Sequence, residues 1–238
     1  QMNKYGKAGT LILTLIVPAF VYIMLRACTQ NHYTLPRFIP VIDSTNGSPV
    51  MQTITDLNGE KREDTLFRHI PGFALIDQVS QAVDQTIIKG KIHVADFFFT
   101  RCGTICPKIQ LSLSRVQEIF KERNDLVFIS YSVDPENDQP KQLKTYADKV
   151  GAKAGMWYFL TGEKAQIYNL AQRGYFLPVV DHGVSYGKPD ETFIHSEKLV
   201  LVDKDGVIRG FYDGTDKKDV DRLIAEIRVL LDIYSKQT

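Results

Sequence analysis

One stretch constrains the fold of this chain more than any other: an apolar run that leads directly into two cysteines. Residues 92–99 are apolar apart from one histidine and one aspartate, a pattern typical of a strand that is buried on both faces of a sheet. Cys102 and Cys106 follow, and Pro107 suits the first turn of a helix. The cysteines are therefore expected between a central strand and its helix, where open α/β sheets place their functional sites.

The remaining sequence predicts alternating strands and helices. Two short strand candidates, over 73–76 and 86–88, precede the apolar run. After it we predict helices over 107–123, 140–150, 163–173 and 219–234, and strands over 126–133, 157–160, 199–202 and 207–212. An irregular stretch over 174–191 interrupts this pattern, and the turn over 203–206 joins the last two strands into a hairpin. Together with the cysteine pair, this order predicts an α/β, thioredoxin-like fold: a mixed sheet flanked by helices.

The N-terminal segment predicts a single transmembrane helix. Residues 8–25 contain no charged side chain, and eighteen helical residues span about 27 Å, close to the thickness of a bilayer's hydrocarbon core. Lys4 and Lys7 precede the run and one arginine follows it, which favours an N-terminus in the cytoplasm. A cleaved signal peptide, or a lipoprotein signal acylated at Cys28, is the alternative, and each would export the same domain.

The domain organisation follows from these segments. We predict a membrane anchor over residues 1–28, a polar tether containing several prolines over 29–64, and a globular domain over 65–238. The net charge of +1 arises from scattered basic and acidic residues. It provides no electrostatic footprint for nucleic acid, so we expect no nucleic-acid partner.

The cysteine pair is the candidate chemical site. Cys106 is expected at the start of the helix, where the helix dipole and free amide groups stabilise a thiolate. With three residues between them, Cys102 and Cys106 can close as a disulfide or open to hold a metal ion. A purely structural disulfide is the alternative, but closing so small a loop constrains the unfolded chain very little. The position of the pair favours function.

A copper site with two thiolates needs a third donor, and the chain has five histidines. His195 is the best placed, because it precedes the hairpin strand that we expect beside the cysteine-bearing strand. His182, in the irregular stretch, is a candidate mobile outer ligand. The other three, His32, His69 and His93, are interpreted as surface or core residues.

Three motifs, in this order, resemble those of the Sco (SenC) family. They are Phe98-Phe99-Thr100-x-Cys102-x-x-x-Cys106-Pro107, then Ser132-Val133-Asp134-Pro135-Glu136-x-Asp138, then His195 ahead of Leu201-Val202-Asp203-x-Asp205-Gly206. The resemblance extends from about Ile70 to the C-terminus, and an N-terminal membrane helix is consistent with it. Each motif alone is weak, whereas their order and spacing together are specific.

The resemblance implies a membrane-anchored copper chaperone that assists assembly of the copper centre of cytochrome c oxidase. It implies Cys102, Cys106 and His195 as ligands of Cu(I) or Cu(II), with Asp134 in an acidic turn near the site. The alternative for Asp134 is a turn-forming residue before Pro135 with no role in the site. It also implies a haem-copper oxidase subunit and other copper chaperones as partners. The expected location is the bacterial inner membrane, with the C-terminal domain in the periplasm.

The same residues support a second hypothesis, a thiol-disulfide oxidoreductase that reduces the cysteines of the oxidase copper-site subunit. In that case Cys102 is expected to attack and Cys106 to resolve the mixed disulfide. A copper or redox sensor would carry the same ligands and differ only in its partner. The sequence leaves these hypotheses open, and with them whether the chain is an enzyme.

Overall fold

The computed structural model of the protein describes residues 14, 16–24, 34–55, 59–177 and 197–236. The chain divides into two compact units, Gln1–Thr34 and Leu35–Thr238. In the first unit, residues 16–24 are helical. Within the described ranges, no helix has the length and apolar character required to cross a membrane. Part of the predicted anchor over residues 8–25 lies outside those ranges, so the anchor stays a prediction.

The second unit is built on a seven-stranded sheet, and a small two-stranded sheet precedes it in the sequence. The strands are β1 (Met51–Thr55), β2 (Lys61–Thr65), β3 (Ala74–Asp77), β4 (Ala82–Asp84), β5 (Ile92–Phe98), β6 (Leu126–Ser132), β7 (Trp157–Thr161), β8 (Lys198–Val202) and β9 (Ile208–Asp213). The large sheet has the order β4-β3-β7-β6-β5-β8-β9, and β1 pairs with β2.

Among the described residues of this unit, four α-helices accompany the sheet. They are α1 (Cys106–Ile119), α2 (Pro140–Lys149), α3 (Lys164–Asn169) and α4 (Lys217–Ser235). The predicted helix over 163–173 is divided, because α3 passes into a π-helical turn over Leu170–Gly174. The other three helices agree with their predicted positions to within a few residues.

The sheet is mixed, as predicted. β5, β6 and β7 are parallel neighbours, since α1 and α2 carry the chain back between them. β8 pairs antiparallel with the other edge of β5, and β9 completes the hairpin. All seven residues of β5 are buried, which explains why its sequence is almost continuously apolar.

The two faces of β5 supply two hydrophobic clusters, because successive side chains of a strand point to opposite faces. Ile92, Val94 and Phe98 belong to the cluster that includes both cysteines and the buried faces of α1 and α4. Ala95 and Phe97 belong to the other cluster, which includes the π-helical turn. The cysteine pair therefore lies against one main core of the domain.

Two predicted segments differ from the structure. The strand expected over 86–88 is a 3₁₀ turn, Gln85–Ile87, because the Asp84 side chain accepts the Thr86 amide at 2.9 Å and caps that turn. The strand there is β4, which ends at Asp84.

The predicted tether over 29–64 also contains domain structure. Residues from Leu35 onward belong to the second compact unit. The Phe38 amide donates to the Ile208 carbonyl at 2.9 Å, and Arg209 donates to the carbonyls of Leu35 and Pro36 at 2.6 and 2.9 Å. Packing of residues 35–40 on the edge of the domain is expected from the sequence, and the structure identifies β9 as the strand that this segment contacts.

His93 is a core histidine, as interpreted from the sequence, and is 1% exposed. Its Nε2 lies 3.1 Å from the Tyr175 hydroxyl, which in turn lies 3.0 Å from the Tyr131 hydroxyl. Burial lowers the pKa of His93 from 6.5 to about 3. The folded protein therefore keeps this imidazole neutral at pH values where the unfolded chain protonates it.

This difference predicts an acid-side loss of stability that depends on His93. A lowered folded-state pKa means that the His93 contribution is complete above pH 6.5 and is lost as the pH falls toward 3. Between about pH 7 and about pH 5, wild type should lose about 2 kcal/mol more unfolding free energy than His93→Gln. Urea unfolding of both proteins at the two pH values measures the difference. Parallel pH dependence in the two proteins would contradict the prediction.

Candidate metal and redox site

The two cysteines lie side by side at the C-terminal end of β5, as predicted. Cys106 is the first residue of α1, and Cys102 lies in the loop between β5 and that helix. Both thiols are free and both residues are buried, with 8% and 4% of their surface exposed for Cys102 and Cys106. The backbone nitrogen of Cys106 lies 3.4 Å from the Cys102 sulfur. The loop thus brings two soft donor atoms to one place.

The Cys102 sulfur caps the N-terminus of α1. It accepts the backbone N–H of Cys106 at 3.4 Å, while the N-cap residue Ile105 makes no capping hydrogen bond with its side chain. The Thr104 hydroxyl lies 3.9 Å from the same sulfur. Burial opposes ionisation of Cys102, but the hydrogen bonds from Cys106 and Thr104 outweigh it and lower the pKa of this thiol below 9.0.

Cys106 has the opposite character, and the expectation that the helix start would stabilise its thiolate is wrong. Burial raises the pKa of Cys106 far above 9.0, and the hydrogen bond to Cys102 and the charge of Asp96 raise it further. The amide at the helix start points to the other sulfur, and Cys106 packs in the hydrophobic cluster instead. The pair therefore combines one thiol whose pKa is lowered with one whose pKa is raised.

A buried carboxyl group, Asp96, lies on the same face of β5 as the cysteine cluster. It is 1% exposed and accepts hydrogen bonds from Ser130 Oγ at 2.5 Å and Gln110 Nε2 at 2.7 Å. Burial raises the pKa of Asp96 to about 7, against the effect of these two donors. Trp157 Nε1 donates to the same Ser130 hydroxyl at 2.9 Å. Asp96 was not identified from the sequence as part of the site. An aspartate inside an apolar strand that was expected to be buried could have indicated it, because a buried carboxyl group needs a specific environment.

Two further carboxylates hold the chain just before Cys102. Asp138, fully buried, accepts the Thr100 amide at 3.0 Å, the Thr100 hydroxyl, and the Ser132 hydroxyl at 2.6 Å. Asp134, 6% exposed, accepts Arg101 Nη2 at 2.6 Å. Asp134 therefore lies beside the cysteine loop, as the resemblance implied. No role of its own was predicted for Asp138 from the sequence. In the structure it accepts both the amide and the hydroxyl of Thr100, whereas Asp134 contacts the loop through the Arg101 side chain.

The predicted third ligand, His195, lies outside the described residues, as does His182. The pairing that selected His195 is confirmed, since β8 is the antiparallel neighbour of β5. The register Ala95↔Val200 and His93↔Val202 means that the chain enters β8 near the cysteine-bearing end of β5. Within the described ranges, no three or more His, Cys, Asp or Glu side chains are grouped so that they could hold a metal ion.

Together, the fold and the site define a thioredoxin-like domain with a dithiol of unequal thiols at the end of its central strand. The SCO1/SenC family model matches residues 61–232. The chain therefore belongs to the SCO1/SenC family.

Individual relatives agree with this assignment. The SCO1 protein homolog of Bacillus subtilis (strain 168) is 33% identical over 174 residues, which is 71% of this chain and 86% of the relative. The copper-bound structure of Bradyrhizobium japonicum ScoI is similar with a TM-score of 0.57 and 26% identity, covering 68% of this chain and 99% of that one. BsSco, a member of the Sco family of cytochrome c oxidase assembly proteins with a disulfide switch, has a TM-score of 0.54 and 32% identity, covering 67% and 91%.

The unequal thiols predict an order of chemical modification. Cys102 should react with iodoacetamide at least ~10-fold faster than Cys106, because only thiolates react and burial disfavours the Cys106 thiolate. Peptide mass spectrometry of the Cys106→Ser and Cys102→Ser variants, each with one thiol of the pair, gives the two rates and separates them from modification of Cys28. Equal rates, or faster reaction of Cys106, would show that the asymmetry is absent in solution.

Proposed function

We propose that this protein binds copper through Cys102, Cys106 and His195 and passes it to the copper-site subunit of cytochrome c oxidase. The observation that carries the proposal is the pair of free, adjacent sulfurs, one of them favoured as a thiolate, in a domain of the SCO1/SenC family. Thiolate sulfur is the ligand type that selects Cu(I). The copper-bound ScoI structure and the oxidase-assembly role ascribed to the BsSco family support the same conclusion.

The topology supports His195 as the third ligand. Lys198 begins β8 near the end of β5 that carries the cysteine loop. The three residues from His195 to Lys198 reach at most about 10 Å, which limits how far the imidazole can lie from this end of β8. At the same open end of the hairpin, where Lys198 pairs with Asp213, the Gly214 carbonyl accepts a hydrogen bond from the Ser112 hydroxyl of α1 at 2.8 Å. This contact ties the start of β8 to the helix that begins at Cys106.

Copper transfer then follows from ligand exchange. The pKa of Cys102 is lowered and that of Cys106 is raised, so binding has to remove the proton of Cys106 against its burial. Metal uptake therefore releases protons and weakens in acid. Incoming cysteines or histidines of the oxidase subunit replace the ligands one at a time, and the copper leaves without being released to water.

The proposal includes a location. The uncharged run over residues 8–25 would anchor the chain in the bacterial inner membrane, with the domain in the periplasm. There the domain would face the oxidase subunit and other copper chaperones from which it could receive the metal.

Copper stoichiometry tests this proposal directly. After anaerobic reduction and exposure to Cu(I), wild type should retain one copper per chain, and His195→Ala should bind it at least ~10-fold more weakly because one of three donors is lost. His69→Ala is the matched control, since that exposed histidine contacts the Asp205 backbone instead. Competition with a Cu(I) chelator measures the affinities. A protein that takes up no copper, or a His195→Ala variant that binds like wild type, contradicts the proposal.

A second function is favoured by the unequal thiols, namely reduction of a disulfide in the oxidase copper-site subunit. In this reaction the Cys102 thiolate attacks the partner disulfide, and one partner sulfur leaves as a thiolate. The Cys106 thiol then loses its proton and displaces the second partner sulfur. Two electrons have passed to the partner, and Cys102 and Cys106 end as a disulfide.

The Cys106→Ser variant should trap the first step of this reaction. Without the resolving sulfur, the mixed disulfide between Cys102 and a partner cysteine accumulates, whereas Cys102→Ser should form little of it. Non-reducing electrophoresis after mixing with an oxidised, disulfide-bearing oxidase subunit measures the adduct. An adduct that forms equally in both variants would contradict the assignment of Cys102 as the attacking residue.

A further inference from the structure

A surface groove lies directly beside the cysteine loop. It has a volume of about 360 Å³ and is lined by Thr100 and one face of α2: Lys141, Gln142, Thr145, Tyr146 and Lys149. Thr100 is two residues before Cys102, so one wall of the groove is the start of the cysteine loop itself.

The floor of the groove is close to both sulfurs. The Tyr146 ring packs on Phe98, the last residue of β5, with ring centroids 5.3 Å apart. Tyr146 also packs against the hydrophobic cluster that contains Cys102 and Cys106. A molecule in the groove would therefore lie next to the dithiol.

The groove is positively charged. Lys141 and Lys149 are separated by about two helical turns, or ~12 Å, and none of the six lining residues is acidic. No ion pair found among the described residues involves either lysine. The neighbouring Lys144 and Asp148 form an ion pair with each other at 2.5 Å and so cancel their own charges.

The groove is also held in shape before any partner binds. Leu143 and Ala147 anchor α2 in the core, and Tyr146 additionally contacts Phe159 with ring centroids 5.9 Å apart. The opposite wall is fixed because the buried Asp138 binds both the amide and the hydroxyl of Thr100. A preformed surface loses little conformational freedom when it binds, which favours recognition.

We propose that this groove receives an acidic, extended segment of the protein whose cysteines exchange with Cys102 and Cys106. An extended chain advances about 3.3 Å per residue, so about four residues span the distance between the two lysines. Carboxylates in that segment meet Lys141 and Lys149, and an adjacent cysteine is brought to the Cys102 sulfur. The proposal deepens the proposed function, since it rests on a partner that brings sulfur ligands to the pair.

The test uses the reduced full-length chain and two synthetic peptides. Each peptide carries one cysteine as a mixed disulfide with thionitrobenzoate, flanked by four glutamates in one peptide and four glutamines in the other. A protein thiolate attacks the peptide sulfur, and the coloured thiolate that leaves reports the rate. Dividing each rate by that of the same peptide with dithiothreitol removes the intrinsic difference between the peptides.

Two variants with the same change in net charge distinguish the groove from the protein's overall field. The variant Lys141→Glu/Lys149→Glu reverses the charge of the groove. The variant Lys89→Glu/Lys218→Glu reverses the charge of two exposed side chains that do not line it. Wild type and the second variant should prefer the glutamate peptide by ~5-fold or more at low salt, and the preference should fall toward unity in high salt. The groove variant should lose the preference, while its rate with the glutamine peptide stays at the wild-type value.

Three results would overturn the proposal. They are no preference in wild type, a preference that survives in the groove variant, and an equal loss in both variants. Cu(I) uptake provides a separate readout, because neither lysine is a copper ligand and both variants should bind copper like wild type. Failure of wild type to bind copper would contradict the proposed copper delivery, while the peptide preference would still decide whether the groove recognises acidic segments.

Discussion

The site depends on one hydrogen bond, from the Cys106 backbone amide to the Cys102 sulfur. The first amides of a helix have no partner within the helix, and here a functional atom takes the place of the usual capping side chain. The bond favours negative charge on Cys102 and at the same time fixes its sulfur beside Cys106. This contact fixes the geometry of the pair, and it is one of several hydrogen bonds, from Cys106 and Thr104, that lower the pKa of Cys102.

Three buried carboxyl groups lie near this contact. Two of them act on the loop that carries Cys102, and the third acts on the pKa of Cys106. Asp138 and Asp134 hold the backbone before Cys102, so that the loop approaches the helix end in a defined conformation. Asp96 lies in the core. Burial is the main cause of the raised pKa of Cys106, and the negative charge of Asp96 raises it further. Because a buried carboxyl is costly unless it is satisfied or neutral, the paired donors around Asp96 and Asp138 are as much a part of the site as the thiols.

The same asymmetry suits both functions that we propose. Copper delivery needs a sulfur that is ready as a ligand and another that gives up its proton when the metal arrives. Disulfide reduction needs a sulfur that attacks and another that remains protonated until its turn. Membership of the SCO1/SenC family is consistent with either, and the positive groove beside the pair would orient the partner in the same way for each.

The sequence by itself determined the buried central strand, the alternation of elements, the hairpin and the position of Cys102 and Cys106, because periodicity and turn chemistry are local properties of the chain. It could not assign β4 or the π-helical turn, since each depends on contacts made across the fold. It also assigned the stabilised thiolate to the wrong cysteine. Acidity depends on burial and on where the helix amide points, and only the tertiary structure decides those.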